Sequence, residues 1–140
     1  MSITIAQARS IISGAFAKSA ASDMNPLAII VLDAGGHLVA FEREDGVPYG
    51  RFEVAQGKAA GALAVGVNSR TLEGLAKDRP HFMTGVVGAL SGAVVPVAGG
   101  VIVLDAGGNR VGAVGASGDT SDNDEIAVIA GIEAAGLTAL

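Results

Sequence analysis

The hexapeptide Val-Leu-Asp-Ala-Gly-Gly occurs twice in the chain, at Val31–Gly36 and at Val103–Gly108. In each copy an apolar run precedes the Asp-Ala-Gly-Gly segment, and more apolar sequence follows it. Glycine supplies a positive φ without steric cost, and an aspartate side chain accepts hydrogen bonds from the backbone that follows it. Each repeat therefore predicts a β-hairpin, in which Asp33 and Asp105 cap the turn rather than form a functional carboxylate pair. Two such hairpins predict one antiparallel sheet.

Helical patterns flank the first hairpin. Thr4 followed by Gln7 is a capping-box signature, and apolar residues at helical spacing extend the predicted helix to about residue 22. Residues 51–67 form a second helical stretch that is rich in small residues. Gly57 and Gly61 lie four apart in it, which predicts that another helix or a sheet face approaches closely.

The second half of the chain is read less easily. A short helix is predicted over Thr71–Lys77, and residues 81–100 are predicted as a loop or short helical turn followed by a strand at Ala93–Val97. A last helix begins among Thr120, Ser121 and Asp122, and Gly136 follows its end. The order of helices and hairpins predicts an α+β fold, a two-layer domain with an antiparallel sheet.

Composition limits the classes of protein to which the chain can belong. Its 140 residues predict one domain, over residues 1–140. Only 16% of residues are charged, against roughly 25% in an average globular protein, so we expect a homo-oligomer that buries the excess apolar surface. The net charge of −5 argues against nucleic acid as a partner, and the chain has no cysteine. No targeting or membrane-spanning segment is evident, which predicts a cytoplasmic protein.

Two histidines are candidates for chemistry. His81 follows Arg79-Pro80 and precedes Phe82, a setting in which an imidazole could ligate haem iron, act as a general base, or cap the preceding helix. Arg79 beside it is a candidate for binding the anionic part of a ligand. His37 follows the first turn and is interpreted as a turn residue.

Two further cations are candidate ligand-binding residues. Lys58 lies among short side chains on the small-residue helix, where it could stand in a cleft and bind a carboxylate or phosphate, or extend to solvent as a surface lysine. Arg43 ends the first hairpin, and its guanidinium could clamp a carboxylate or form a salt bridge to a neighbouring acid.

Residues 118–125 contain the highest density of acidic and hydroxyl groups in the chain. Asp119, Thr120 and Asp124 are candidate ligand contacts, and Glu125 or Asp124 is a candidate general base. The alternative is that the segment caps the last helix, because acidic residues in a first turn stabilise the helix dipole. The spacing does not fit an EF-hand, and we predict no metal site.

Five segments in order give the chain a resemblance to the GlcG/HbpS family, the haem-binding or PduO C-terminal type of domain. They are Val31–Gly36 with Phe41–Arg43 and Asp45-Gly46, Gln56–Ala60, Arg79–Phe82, Val95–Gly100 and Gly112–Glu125. The resemblance implies a profilin-like fold with an antiparallel sheet of about five strands and helices packed on it. It also implies oligomers such as octamers, and haem as a cofactor in some members.

Three functions remain open at this point. The first is an oligomeric small-molecule-binding protein that holds haem or a related anionic cofactor between subunits. Lys58, His81 and the start of the last helix are then expected in one cleft, where Arg43 or Lys58 pairs with the carboxylates of the cofactor and His81 approaches its metal. The second is an enzyme acting on a small carboxylate or carbonyl compound, with His81 or an acid as general base. The third is a structural or scaffold domain that binds no ligand.

Overall fold

The computed structural model describes residues 1–140, which form five helices and five strands. In chain order these are α1 (Ile5–Ala21), β1 (Ala28–Asp33), β2 (Leu38–Arg43), α2 (Arg51–Val65), α3 (Ser69–Asp78), α4 (Pro80–Ala89), β3 (Gly100–Leu104), β4 (Arg110–Ser117), α5 (Ser121–Ala134) and β5 (Thr138–Ala139). The α+β class is confirmed. No helix has the combination of length and apolar character that crossing a bilayer requires.

The two repeats form twin hairpins at the centre of one antiparallel sheet. The strand order is β2-β1-β4-β3-β5, and both hairpins shift register at the same place, between Val31 and Leu32 and between Val103 and Leu104. Asp33 Oδ1 accepts hydrogen bonds from the N–H groups two and four residues later, at 2.9 Å, and Asp105 Oδ1 does the same. The prediction that these aspartates cap the turns is confirmed.

Helices cover both faces of the sheet. Successive side chains along a strand point to opposite faces, and β1 is apolar and buried at nearly every position, so each face presents apolar side chains to a helix. Ile29 and Val31 pack with α1 and α5 in the larger core cluster, whereas Ile30 and Leu32 pack with α2. The sequence predicted two layers, the sheet and one layer of helices. The structure has a third layer, because α2 packs on the opposite face of the sheet from α1 and α5.

Glycines bring α2 and the sheet unusually close together. A Cβ atom on Gly115 would overlap the carbonyl oxygen of Ala55, and one on Gly100 would overlap that of Lys58. On the outer side of α2, Gly57 and Gly61 lie against Val95 and Val94. The predicted close approach at these two glycines is confirmed, and its occupant is an extended segment rather than a helix or a sheet.

The structure corrects the prediction for residues 81–100. Residues 80–89 form a complete helix, α4, in which Pro80 occupies the first turn, where its missing N–H costs nothing. The predicted strand at Ala93–Val97 was wrong: these residues make one backbone bond to α2, from Val95 N to Gly57 O at 3.0 Å, instead of a strand ladder.

Helices α3 and α4 have a small core of their own, built on Leu72, Met83 and Val94. The start of α3 is fastened to the sheet by two side chains. Ser69 Oγ accepts a hydrogen bond from Gly100 N at 2.7 Å, and Asn68 Oδ1 accepts one from Ile102 N at 2.8 Å. The N-terminal end of α3 is thus placed against the β3 side of the sheet.

Candidate functional site

Lys58 and Asp124 form a buried ion pair at the end of strand β4. Lys58 Nζ lies 2.8 Å from Asp124 Oδ2, and both side chains are 2% exposed. The ammonium also donates to the carbonyl oxygen of Ala116 at 2.9 Å, and Asp124 Oδ1 accepts from Asp119 N at 3.0 Å. Burial raises the pKa of the Asp124 carboxyl, although the hydrogen bond from Lys58 opposes the rise.

This pair connects helices from the two faces of the sheet. Lys58 belongs to α2 and Asp124 to the first turn of α5, so the bridge passes around the end of the sheet beside β4. Gly99 makes room for it, since a Cβ there would lie 3.0 Å from Lys58 Nζ. The interpretation of Lys58 as a surface lysine was wrong. Ligand binding by Lys58 or Asp124 stays a prediction. In the structure the two side chains form an ion pair with each other.

The remaining polar residues at the start of α5 cap the helix. The Thr120 hydroxyl accepts a hydrogen bond from Asn123 N at 3.2 Å. Asp119 Oδ2 accepts from Asn25 N at 2.7 Å, and this bond, with others from Thr120 and Asn123, lowers the pKa of Asp119. The capping interpretation is confirmed, whereas ligand contacts by Asp119 and Thr120 stay predictions.

We expect Asp119→Asn to destabilise the protein at neutral pH and much less in acid. Because the folded state lowers the pKa of this carboxyl, its contribution to stability is present above about pH 4 and is lost as pH falls through the folded pKa. Urea unfolding at neutral pH and near pH 3 measures the difference from the unmodified protein. Asp45→Asn is the control, because Asp45 is exposed and has no ion pair. An Asp119→Asn deficit that is equal at both pH values would contradict the expectation.

Glu125, the candidate general base, lies in a different ion-pair network. Arg70 of α3 donates to Glu125 Oε1 at 2.8 Å and to Asp122 Oδ1 at 2.6 Å. Both carboxylates raise the pKa of Arg70 far above its ordinary value. The network joins the start of α3 to the start of α5, and the catalytic role of Glu125 stays a prediction.

His81 and Arg79 lie together where α3 meets α4. Both are exposed, and the Arg79 guanidinium stacks over the Phe82 ring, with Cζ 4.9 Å from the ring centroid. No hydrogen bond or ion pair joins His81 to Lys58 or Asp124. An apolar groove of about 350 Å³ lies between α3 and α4, and its lining residues are Ala76, Pro80, Met83, Thr84 and Val87. His81 and Arg79 are not part of this lining, although both are chain neighbours of Pro80.

Arg43 ends β2, exposed and without an ion pair. It pairs with Ala28, which in turn pairs with Ser117. Arg51, at the start of α2, donates to Ser117 Oγ at 3.2 Å, so two guanidiniums lie at this end of the sheet. Arg51 was not among the candidates predicted from the sequence, where its only signal is its position at the start of the small-residue helix.

The candidate residues therefore fall into three places instead of one cleft. Lys58, Asp119, Thr120 and Asp124 meet at the end of β4, with Glu125 on the adjoining surface. His81 and Arg79 lie on either side of Pro80, a residue of the α3–α4 groove, and Arg43 lies at the end of β2.

Comparison with known proteins shows the same fold in several solved structures. PduOC in complex with haem has a TM-score of 0.84 at 21% identity, covering 96% of this chain and 95% of that one. A Klebsiella pneumoniae protein, ORFY, gives 0.85 at 19% identity, with coverages of 96% and 90%. HbpS gives 0.80 at 22% identity, with coverages of 95% and 89%. No curated protein sequence matches.

At these identities the structural similarities establish the fold. The family is established by sequence, since the family described as "Haem degrading protein HbpS-like" matches residues 3–133, nearly the whole chain. The resemblance found in the sequence motifs is thereby confirmed. The chain belongs to the HbpS-like family of haem-degrading proteins.

Proposed function

We propose that this protein binds haem in the α3–α4 groove and does so as a homo-oligomer. The observation that carries the proposal is that an exposed guanidinium, Arg79, and an exposed imidazole, His81, stand on either side of Pro80 in the chain, and Pro80 lines the apolar groove. Haem combines an apolar ring, an iron that imidazole ligates well, and anionic propionates, so a place that offers an apolar surface, an imidazole and a cation suits it. Membership of the HbpS-like family and the similarity to PduOC, solved with haem, support the choice of ligand.

Each group has a distinct part in the proposal. Met83 and Val87 supply an apolar surface for the porphyrin, with Pro80 at its edge. His81, one residue after Pro80 on the same helical turn, is the proposed iron ligand. Arg79 is held by its contact with Phe82 and is the proposed partner of a propionate. When bound, haem supplies redox and ligand-binding chemistry at its iron.

A second copy of the chain completes the proposed site. A groove of about 350 Å³ lies at the small end of the range for cofactor sites, about 300–1,000 Å³, so one face of a haem would remain exposed. The low charge content of the chain also favours burial of apolar surface between copies. We therefore propose that an oligomer, as large as an octamer by family resemblance, covers the other face of the ring.

The structure gives less support to the enzyme alternative. That hypothesis needs a free cation to hold a carboxylate substrate and a free base near it. Lys58 and Glu125 are each engaged in ion pairs, and Arg43, which is free, has no contact with His81. Arg79, the cation next to His81, stacks on Phe82, and the groove at this place is apolar, which suits a flat ring better than a small carboxylate. A scaffold without a ligand would not require an imidazole beside an apolar groove.

Titration with hemin tests the haem proposal. We expect a saturable Soret band in the unmodified protein, and we expect His81→Ala to shift or lose that band, because the imidazole is the iron ligand. His37→Ala is the matched control, because His37 is also exposed but belongs to the β1–β2 turn. Equal spectra and equal affinity in His81→Ala and the unmodified protein would refute the proposed ligand. A protein that gives no saturable band would refute haem binding.

A further inference from the structure

A second cleft, separate from the α3–α4 groove, lies on the outer side of α2. Its volume is about 390 Å³, within the range of small-molecule sites. Three segments line it: one face of α2, the β1–β2 turn and the turn after α4. The lining residues are Gly36, Glu53, Gln56, Gly57, Ala60, Ser91, Gly92 and Ala93. Five of these eight are glycine or alanine, and their short side chains leave the space open.

The three polar side chains in this cleft have no partner within the protein. Neither the Glu53 carboxylate, the Gln56 amide nor the Ser91 hydroxyl takes part in any side-chain hydrogen bond or ion pair, whereas most other acidic side chains near α2 and α5 are paired. Glu53 is the one charged group in the lining. The cleft therefore offers a negative charge, an amide and a hydroxyl to whatever enters it.

Ser91 occupies a backbone position that glycine usually fills. After α4 ends, Ser91 N donates to Gly88 O and Gly92 N donates to Val87 O, the pattern of a Schellman motif. The residue at the position of Ser91 adopts a left-handed conformation, and here φ is +55°. A non-glycine residue there destabilises the fold, so the serine is more costly than a glycine would be. In return, the serine supplies the cleft with a hydroxyl group, which a glycine at this position could not.

We propose that this cleft binds a small polyhydroxylated primary amine. The ammonium group would pair with Glu53, and the hydroxyl groups would bond to Gln56 and Ser91. A metal ion is less suited to the cleft, because the protein contains no cluster of three or more His, Cys, Asp or Glu side chains that could hold one. The proposal is independent of haem, since the two sites share no lining residue.

Glucosamine is a suitable probe, and N-acetylglucosamine is its matched control, because acetylation removes the positive charge and keeps the ring hydroxyls. We would titrate each into ¹⁵N-labelled protein at about pH 6, where the glucosamine amine is charged. The expected result is saturable shifts of the Gly36, Gly57 and Gly92 amide signals with glucosamine, and about tenfold weaker binding of N-acetylglucosamine. Absence of saturable shifts, shifts confined to other regions, or equal affinity for the two sugars would overturn the proposal.

Two variants test the proposed contacts. Glu53→Gln should weaken glucosamine binding about tenfold and leave hemin binding unchanged, whereas Glu133→Gln, at an exposed glutamate outside the cleft, should change neither. Ser91→Gly should raise Tm by about 2–4 °C, because it relieves the left-handed serine, and should also weaken glucosamine binding. Unchanged spectra outside the cleft establish that each variant is folded. Unmodified affinity in Glu53→Gln or in Ser91→Gly would refute the corresponding contact and the proposal with it.

Discussion

Lys58→Met is expected to lower the free energy of unfolding by about 3–5 kcal/mol, because it leaves the Asp124 carboxylate buried without its cation. The substitution also removes the donor to the Ala116 carbonyl oxygen. The loss should be smaller in acid, since protonation of Asp124 removes the unpaired charge. Urea unfolding at neutral pH and near pH 5 measures both effects.

The double variant Lys58→Met with Asp124→Leu separates the ion pair from the burial of each charge. We expect it to be more stable than Lys58→Met alone, because no charge is then buried. It should not be fully neutral, since Asp119 N and Ala116 O lose their partners, at about 1–3 kcal/mol for each group left unsatisfied.

Lys77→Met is the matched control for this series. Lys77 lies 3.5 Å from Glu73 on the surface of α3, so its loss should cost less than about 1 kcal/mol. Asp124→Leu alone completes the series. If its loss and that of Lys58→Met simply added in the double variant, the two residues would not be coupled, and our account of the buried pair would be wrong.

Gly115→Ala is expected to destabilise the protein by about 1–3 kcal/mol or more, because its methyl group would force α2 away from the sheet. The obstacle is the backbone carbonyl of Ala55, which cannot rotate aside as a side chain would. Because α2 carries Lys58, the displacement should also weaken the buried ion pair. Thermal and urea unfolding report the loss.

Gly88→Ala is the control for the loss at Gly115. Gly88 lies inside α4 with nothing within 4 Å of the position that a Cβ would take, so alanine should stabilise that helix by up to about 1 kcal/mol. Opposite signs for the two substitutions would support close packing as the cause. A Gly115→Ala protein as stable as the unmodified one would contradict the packing described for α2.

The features that the sequence predicted best are those with local causes. The turns at Asp33 and Asp105 depend on side-chain bonds to residues two and four positions later, and the Thr4–Gln7 capping box spans four residues. Such contacts can be predicted from short sequence patterns, because both partners lie within four residues of each other. The repeated hexapeptide also predicted the sheet, because two like hairpins can join by pairing one strand of each. In the structure these strands are β1 and β4.

The features that it predicted poorly depend on contacts between distant residues. Lys58 and Asp124 were separate candidates, and no local pattern indicates that residues 66 positions apart form a pair. Helix α4 lacks a clear division into an apolar and a polar face and has Pro80 at its start, and both features also fit a loop after α3. Strand β5 has only two residues, which no periodicity can reveal.

The candidate site was predicted only in part for the same reason. Residues near the start of α5 were expected to lie with Lys58, and they do. His81 was expected in the same cleft, but α4 packs chiefly on α3, so His81 lies instead next to Pro80, which lines a different groove. The roles of these residues in binding or catalysis stay predictions that the variants above can test.

The small core of α3 and α4 has a consequence for the dynamics of the groove. Because Leu72, Met83 and Val94 form a cluster apart from the two clusters of the sheet, this helical pair can open as a cooperative unit while the hairpins stay intact. Its amide protons would then exchange with solvent through local opening rather than through global unfolding. A planar ligand could enter between the helices during such openings. Its dissociation rate would then depend on the free energy of opening of the α3–α4 pair.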